Sequence, residues 1–131
     1  MPHANFVNPS TLAPTRGYTH IVEVTGGRIA HISGQVALDG QGNLVGKGDI
    51  KAQTEQVLEN LKLAIEAVGG TLQDLVKVTY FLVDITQIAA VREVRTRYFD
   101  EANPPASTAV GVTGLVMPDL LIEIEGVASI R

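Results

Sequence analysis

The sequence predicts an α+β fold, one mixed β-sheet with two helices packed on one of its faces. Three observations carry this. The chain has 131 residues, enough to bury a core and few enough for one domain, 1–131. Apolar residues are plentiful, aromatics are scarce and tryptophan is absent, so the core is built from Val, Ile, Leu and Ala. Segments of helical period alternate with segments of period two in the order β-β-α-β-α-β-β, with the first and last strand pairs reading as hairpins.

Residues 1–17 carry Pro2, Pro9 and Pro14 without periodicity and read as an extended, loop-like lead-in. Residues 18–24 (YTHIVEV) alternate as a strand does. Gly26-Gly27 supplies a two-residue turn, and residues 28–35 (RIAHISGQ) are expected to return antiparallel. The glycine-rich run after them is a loop. It is not a phosphate loop, because Gly48 follows Lys47 where Ser or Thr is required. Asp49 is the expected N-cap of a helix over 50–68, whose Ile50, Val57, Leu58, Leu61, Ile65 and Val68 form one apolar stripe. Gly69-Gly70 stops it.

The run 75–84 (LVKVTYFLVD) is dense in β-branched and aromatic residues. Val76, Val78, Tyr80 and Leu82 share one face, Phe81 and Val83 the other. A strand apolar on both faces is central, or is covered by a second subunit. Thr86 opens a second helix over 87–99, with Ile88, Val91, Val94 and Tyr98 as its stripe. Arg92, Arg95 and Arg97 decorate that helix and are expected on a solvated face or a subunit contact. Once the helices cover one sheet face, no element remains for the other. An uncovered face with apolar positions predicts oligomerisation.

Composition excludes several function classes. Without cysteine there is neither a disulfide framework nor a thiolate metal site, and a cytoplasmic setting is expected. A formal charge of −4 argues against nucleic acid as a partner, since that needs clustered positive charge. No stretch approaches the ~20 apolar residues of a membrane span, and the N-terminus lacks the features of a signal peptide, so no membrane partner is expected. His3, His20 and His31 have no acidic partner at ligand spacing. Neither a metal nor any other cofactor is implied.

The stretch 103–131 reads as two strands joined by a Gly/Pro-containing turn, and it holds the first candidate for chemistry. In LIEIE, Ile122 and Ile124 share one face while Leu121, Glu123 and Glu125 share the other. Two readings fit this alternation. Either a half-buried strand shows its polar side to water, or a glutamate is delivered into a partly dry cleft suited to acid/base work.

The order of motifs resembles a known family. ISGQV at 32–36, the helix VLENLKLAIEAVGG, the strand VKVTYFLVDI, the PPAST-VGV strand and the closing LIEIEGVA are similar to the YjgF/RidA family, also called the L-PSP endoribonuclease-like or reactive intermediate deaminase family. The resemblance runs from about Tyr18 to Arg131. It implies a chorismate-mutase-like fold and a homotrimer with a central barrel-like core and clefts between subunits. Active members hydrolyse small imines and enamines to 2-keto acids and ammonia. The resemblance places the water-activating glutamate at Glu123 and the cleft-shaping residues at Gly34 and Tyr18. Strand placement also allows plainer roles: a bulge glycine at 34 and a tyrosine that only closes the core at 18.

One residue departs from the pattern. The family strand reads P-A-R-[ST], whereas this chain has Pro105-Ala106-Ser107-Thr108, so Ser107 stands where the carboxylate-binding arginine is expected. A serine offers one neutral donor in place of a bidentate, charge-assisted pair about twice as strong. Three readings follow. The Ser107 and Thr108 hydroxyls bind a different, less anionic small molecule beside Glu123; another arginine, Arg16 or Arg92, reaches the cleft; or the chain is a non-catalytic binding or regulatory trimer. A ribonuclease or translation inhibitor has least support, because the chain is acidic and shows no aromatic stacking row.

Overall fold

The computed structural model describes residues 3–131. Six strands and two α-helices follow in the order β1 (Ala4–Val7), β2 (Ile21–Val24), β3 (Arg28–Gln35), α1 (Ile50–Glu66), β4 (Leu75–Leu82), α2 (Ile88–Arg95), β5 (Ala106–Gly111) and β6 (Ile122–Ile130). The main sheet has the order β3-β6-β4-β5, with β6 antiparallel to both neighbours and β5 parallel to β4. Strand β6 takes a central place because its alternate residues Ile122, Ile124, Ala128 and Ile130 are all apolar, and all are buried. Helix α1 lies across β6 and β3, and α2 packs on α1. Val57, Leu58, Leu61 and Ile65 of α1 meet Val78, Tyr80 and Leu82 of β4 and Val91 and Val94 of α2 in one core. The α+β architecture is the one the residue pattern predicts.

Local signals set the helix ends. Asp49 accepts a hydrogen bond from the Ala52 N–H at 3.1 Å and caps α1. The amides of Gly69 and Gly70 close its C-terminal end on Glu66 O and Ile65 O, at 3.1 and 3.0 Å. Helix α2 is shorter than the expected 87–99. A 3-10 turn over Ile85–Gln87, capped by Asp84 through the Thr86 N–H, precedes it, and Gln87 rather than Thr86 stands at the N-cap of the helix, without a side-chain capping bond. One buried polar residue joins α1 to β6. Gln53 Nε2 donates to Gly46 O and Asp119 O at 3.1 and 2.9 Å, and its Oε1 accepts from the Leu121 N–H at 2.8 Å. Every polar atom of that amide is used, which is why it tolerates complete burial.

Two strand pairings differ from expectation. Strand β2 pairs with β1, a strand inside the segment read as a loop, with Ala4 opposite Val24 and Val7 opposite Ile21. Met1 and Pro2, the start of that lead-in, lie outside the described residues. Gly26-Gly27 turns a corner between two sheets: the Thr25 and Gly26 amides donate to His3 O at 2.7 and 3.1 Å, and β3 goes on to join β6. At the other end, β4 lies between β5 and β6, so these two form no hairpin. Alternation names the face a residue occupies; it does not name the neighbouring strand.

The sheet face away from the helices carries Phe81 and Val127, both half-buried, with Ile29 50% and Val110 38% exposed. No described element covers it. Among the described residues no helix is long and apolar enough to cross a membrane.

Candidate functional site

Glu123 lies opposite Phe81 on the open sheet face, two residues beyond the backbone amide that Gln53 clamps. Its partner strand β3 has an irregular register between Ile32 and Gln35, and Gly34 falls within it. The Glu123 side chain runs directly over Gly34. A Cβ at position 34 would sit 1.8 Å from Glu123 Oε2 and 2.6 Å from Cδ, so only glycine leaves room for this carboxylate. Two residues far apart in sequence are thus brought into contact. Glu123 is half-buried, whereas Glu125 on the same face is exposed and borders a 220 Å³ cavity with His31, Ser33, Lys77 and Thr79. Glu125 is the solvated glutamate of the pair.

Tyr18 and Ser107 meet elsewhere. Thr19 is buried; its Oγ1 donates to Pro104 O at 2.6 Å and its N–H to Pro105 O at 3.3 Å, which pins Tyr18 beside the start of β5. Ser107 lies in register with Val78 and so faces the helix side of the sheet. Together they line a 230 Å³ cavity whose other walls are Arg16, Tyr80, Ile88, Arg92, Arg95 and Ala109. A second cavity of 410 Å³ shares the three arginines and extends to Phe99, Asp100 and Glu101.

Arg95 corrects an expectation. It is not on a solvated face but is only 9% exposed. Its Nη2 donates to Arg16 O at 3.4 Å, and its guanidinium carbon lies 6.0 Å from the centre of the Tyr80 ring. Gly17 sits against it in the left-handed region (φ +73°), where a Cβ would come within 2.2 Å of Nη2. Tyr80 is 1% exposed, and its hydroxyl has no hydrogen-bond partner among the described residues. Burial pushes the Tyr80 pKa up, and the nearby Arg95 charge pulls the other way without a bond of normal geometry. Sequence reading missed both residues. The available signal was that Arg95 follows Val91 by four positions and therefore shares its buried stripe.

Thr108 does not join Ser107. It lies in register with Thr79 on the open face, where its hydroxyl accepts from Lys77 Nζ at 2.7 Å. Consecutive strand residues point to opposite faces, so one of the two had to leave the site. The expected residues thus fall into two halves. Gly34 and Glu123 lie on the open face, Gly34 on edge strand β3, while Tyr18 and Ser107 lie on the helix side at the opposite edge, β5.

The histidines stay apart. His20 Nε2 pairs with Ala13 O at 2.7 Å and meets the Tyr18 ring edge-on at 5.5 Å, His3 Nε2 contacts Ser129 O, and His31 borders the Glu125 cavity. Among the described residues no group of three His, Asp or Glu could hold a metal ion.

Residues 9–130 match the family model described as Endoribonuclease L-PSP. The chain belongs to the YjgF/RidA family. A RutC family protein of Pyrococcus horikoshii is 45% identical over 105 residues, covering 80% of this Rid-family chain and 82% of that protein. The crystal structure of YyfB from Yersinia pestis, a Rid-family protein of unknown function, superposes with a TM-score of 0.88 at 37% identity, over 98% of this chain and 99% of its own. RidA from the Antarctic bacterium Psychrobacter sp. PAMC 21119 gives 0.72 at 37% identity, over 90% and 92%. The mixed sheet with two helices is the Rid fold.

Proposed function

We propose that this Rid-family chain hydrolyses a small imine, enamine or related carbonyl compound in a cleft between subunits, with specificity altered at Ser107. The observation that carries this reading is the Glu123 carboxylate lying over Gly34. A glycine over which a half-buried carboxylate lies on a sheet face fits a positioned general base better than a solvated strand residue. In the reaction, Glu123 takes a proton from water as the water oxygen bonds to the C=N carbon. That proton passes to nitrogen. Glu123 then takes the hydroxyl proton of the resulting carbinolamine and delivers it to nitrogen, so that ammonia leaves as the C–N bond breaks and the carbonyl product forms.

The cleft needs more than one copy. The Gly34–Glu123 and Tyr18–Ser107 halves occupy opposite faces and edges of one sheet, and only a neighbouring subunit's edge could bring the complementary half alongside. The uncovered face with Ile29, Phe81 and Val110 supports the same assembly, a homotrimer with its sheets around a central barrel-like core. A cytoplasmic setting fits a chain without cysteine.

Ammonia release from freshly generated small imino acids tests the reading, with light scattering to establish the trimer. Wild-type turnover that Glu123→Gln abolishes is expected. An intact trimer with no rate above background on any small imine would sink it. A second reading, a non-catalytic small-molecule binder or regulatory trimer, draws on Ser107 at the arginine's place. It predicts ligand-dependent melting without turnover. RNA cleavage, suggested by the family model's description, is expected to be absent; a nuclease activity that follows the purified protein and disappears in Glu123→Ala would reverse that.

A further inference from the structure

We propose that Arg95, the Tyr80 hydroxyl and Ser107 form a carboxylate-binding subsite, in which Arg95 supplies from helix α2 the positive charge that position 107 lacks. The inference rests on the cleft proposed above but concerns binding alone. A guanidinium 9% exposed ordinarily has a carboxylate partner, because burial of an unpaired charge is costly. Arg95 has none among the described residues. The ion pairs there are His3–Asp74, Lys47–Asp119, Lys51–Glu93 and Arg97–Glu55. Its guanidinium donates to the backbone oxygen of Arg16, at 3.4 Å, and its charge acts on the Tyr80 hydroxyl.

The second observation is independent of charge. Tyr80, whose buried hydroxyl has no hydrogen-bond partner of normal geometry among the described residues, lines the same 230 Å³ cavity as Arg95. Burial keeps this phenol protonated, so it is a donor. A planar guanidinium and a phenol side by side at one cavity, with no carboxylate on either among the described residues, match an acceptor that carries negative charge and has two oxygens. Ser107 adds a hydroxyl on the third side, now bonded weakly to Pro105 O at 3.3 Å. Its small side chain also leaves the volume in which such a group fits, and Ile88 and Ala109 offer apolar contact.

Charge at the mouth refines the ligand class. Arg16 and Arg92 are exposed and border the cavity, and no acidic residue lines it. Asp100 and Glu101 border only the adjoining one. A small dicarboxylate, with one carboxylate on Arg95 and Tyr80 and the other towards Arg16 and Arg92, therefore binds more tightly than a monocarboxylate.

Titration calorimetry on the full chain, with 2-oxoglutarate, 2-oxobutyrate, inorganic phosphate and uncharged 2-butanone as probes, tests this. 2-Oxoglutarate is expected to bind best, 2-oxobutyrate more weakly and 2-butanone not at all. Arg95→Met should weaken 2-oxoglutarate by about tenfold or more and Tyr80→Phe by about three- to tenfold, as loss of a charged and a neutral donor do. Arg97→Gln, just past the helix end, should leave binding within about twofold, as expected of an exposed ion pair. If Arg95→Met fails to fold, Tyr80→Phe removes one oxygen and carries the test alone; without added anion it should raise the melting temperature. Failure of both oxo acids to bind, equal binding by wild type and Tyr80→Phe, or tighter binding of phosphate than of either acid would overturn the proposal. Arg95-dependent binding without imine turnover would defeat only the enzymatic reading, and turnover indifferent to Arg95 and Tyr80 only this one.

Discussion

Replacing Gly34 by alanine separates a catalytic role for Glu123 from a structural one. The backbone at 34 is not left-handed, so alanine meets no intrinsic strain there. The new methyl would sit 1.8 Å from Oε2, 2.6 Å from Cδ and 2.8 Å from Cγ of Glu123, where ordinary contact begins at 3.4 Å. The carboxylate must retreat by about 1.6 Å, and because it ends a flexible side chain it can do so by rotation. An off-rotamer side chain costs about 0.5–1.5 kcal/mol, which for a domain of this size lowers the melting temperature by roughly 2–5 °C. The effect on rate is larger. Misplacing a positioned group by about 1 Å costs on the order of 100-fold, or about 2.7 kcal/mol of transition-state stabilisation. Parallel measurements of ammonia release and thermal melting should show a kcat/KM near one-hundredth of wild type in a folded trimer. Activity within about threefold of wild type would refute the positioned-carboxylate argument. So would unfolding of the variant, which would make Gly34 a packing residue.

Three further predictions concern other parts of the molecule. Gln53→Leu strands the Gly46 and Asp119 carbonyls and the Leu121 amide; at about 1 kcal/mol for each lost bond, urea unfolding should show a loss of about 3 kcal/mol. Ser107→Arg adds a fourth cation to a cavity already lined by Arg16, Arg92 and Arg95. It should therefore lower the melting temperature, by an amount that shrinks as salt is raised, and should not raise the rate of imino-acid hydrolysis above that of wild type. Burial and the neighbouring Glu59 push the Tyr98 pKa up to about 12 from an ordinary 10.0. The unfolded chain then loses its proton first, so stability should fall as pH rises from about 10 to about 12. Absorbance titration near the phenolate band, with and without Tyr98→Phe, checks the sign.

Charge and cavity together bear on the proposal that Arg95 takes the place of the strand arginine that the family resemblance implies at position 107. A guanidinium on α2 and one on β5 would occupy the same 230 Å³ space, so the serine at 107 and the buried arginine at 95 are mutually consistent choices. Gly17 fits this arrangement, since any side chain there would collide with Arg95 Nη2.

The chain's local periodicities determined much by themselves. The stripe of α1, its Asp49 cap and its double-glycine stop were legible because each depends on neighbours within a turn or two. So was the inward face of Ile122 and Ile124, which put Glu123 on the other side. The motif order also identified the family and singled out Gly34 and Glu123 as separate positions, while their contact emerged only in the fold. Strand partners were not legible: β2 reads equally well beside β1 or β3, because period two describes a face and long-range pairing is decided by which faces can share a core. The separation of Ser107 from Thr108 was implicit in that same alternation, yet only their pairing with Val78 and Thr79 assigned each to its face. For Arg95 the sequence offered only its place four positions after Val91, and the tertiary structure decided the rest. On the sequence it is one of three arginines on a short helix; in the fold, the packing of α2 against α1 and the approach of Gly17 and Tyr80 enclose it and leave its charge without an acidic partner. Burial and missing counter-charge are properties of how segments meet, which no single segment encodes.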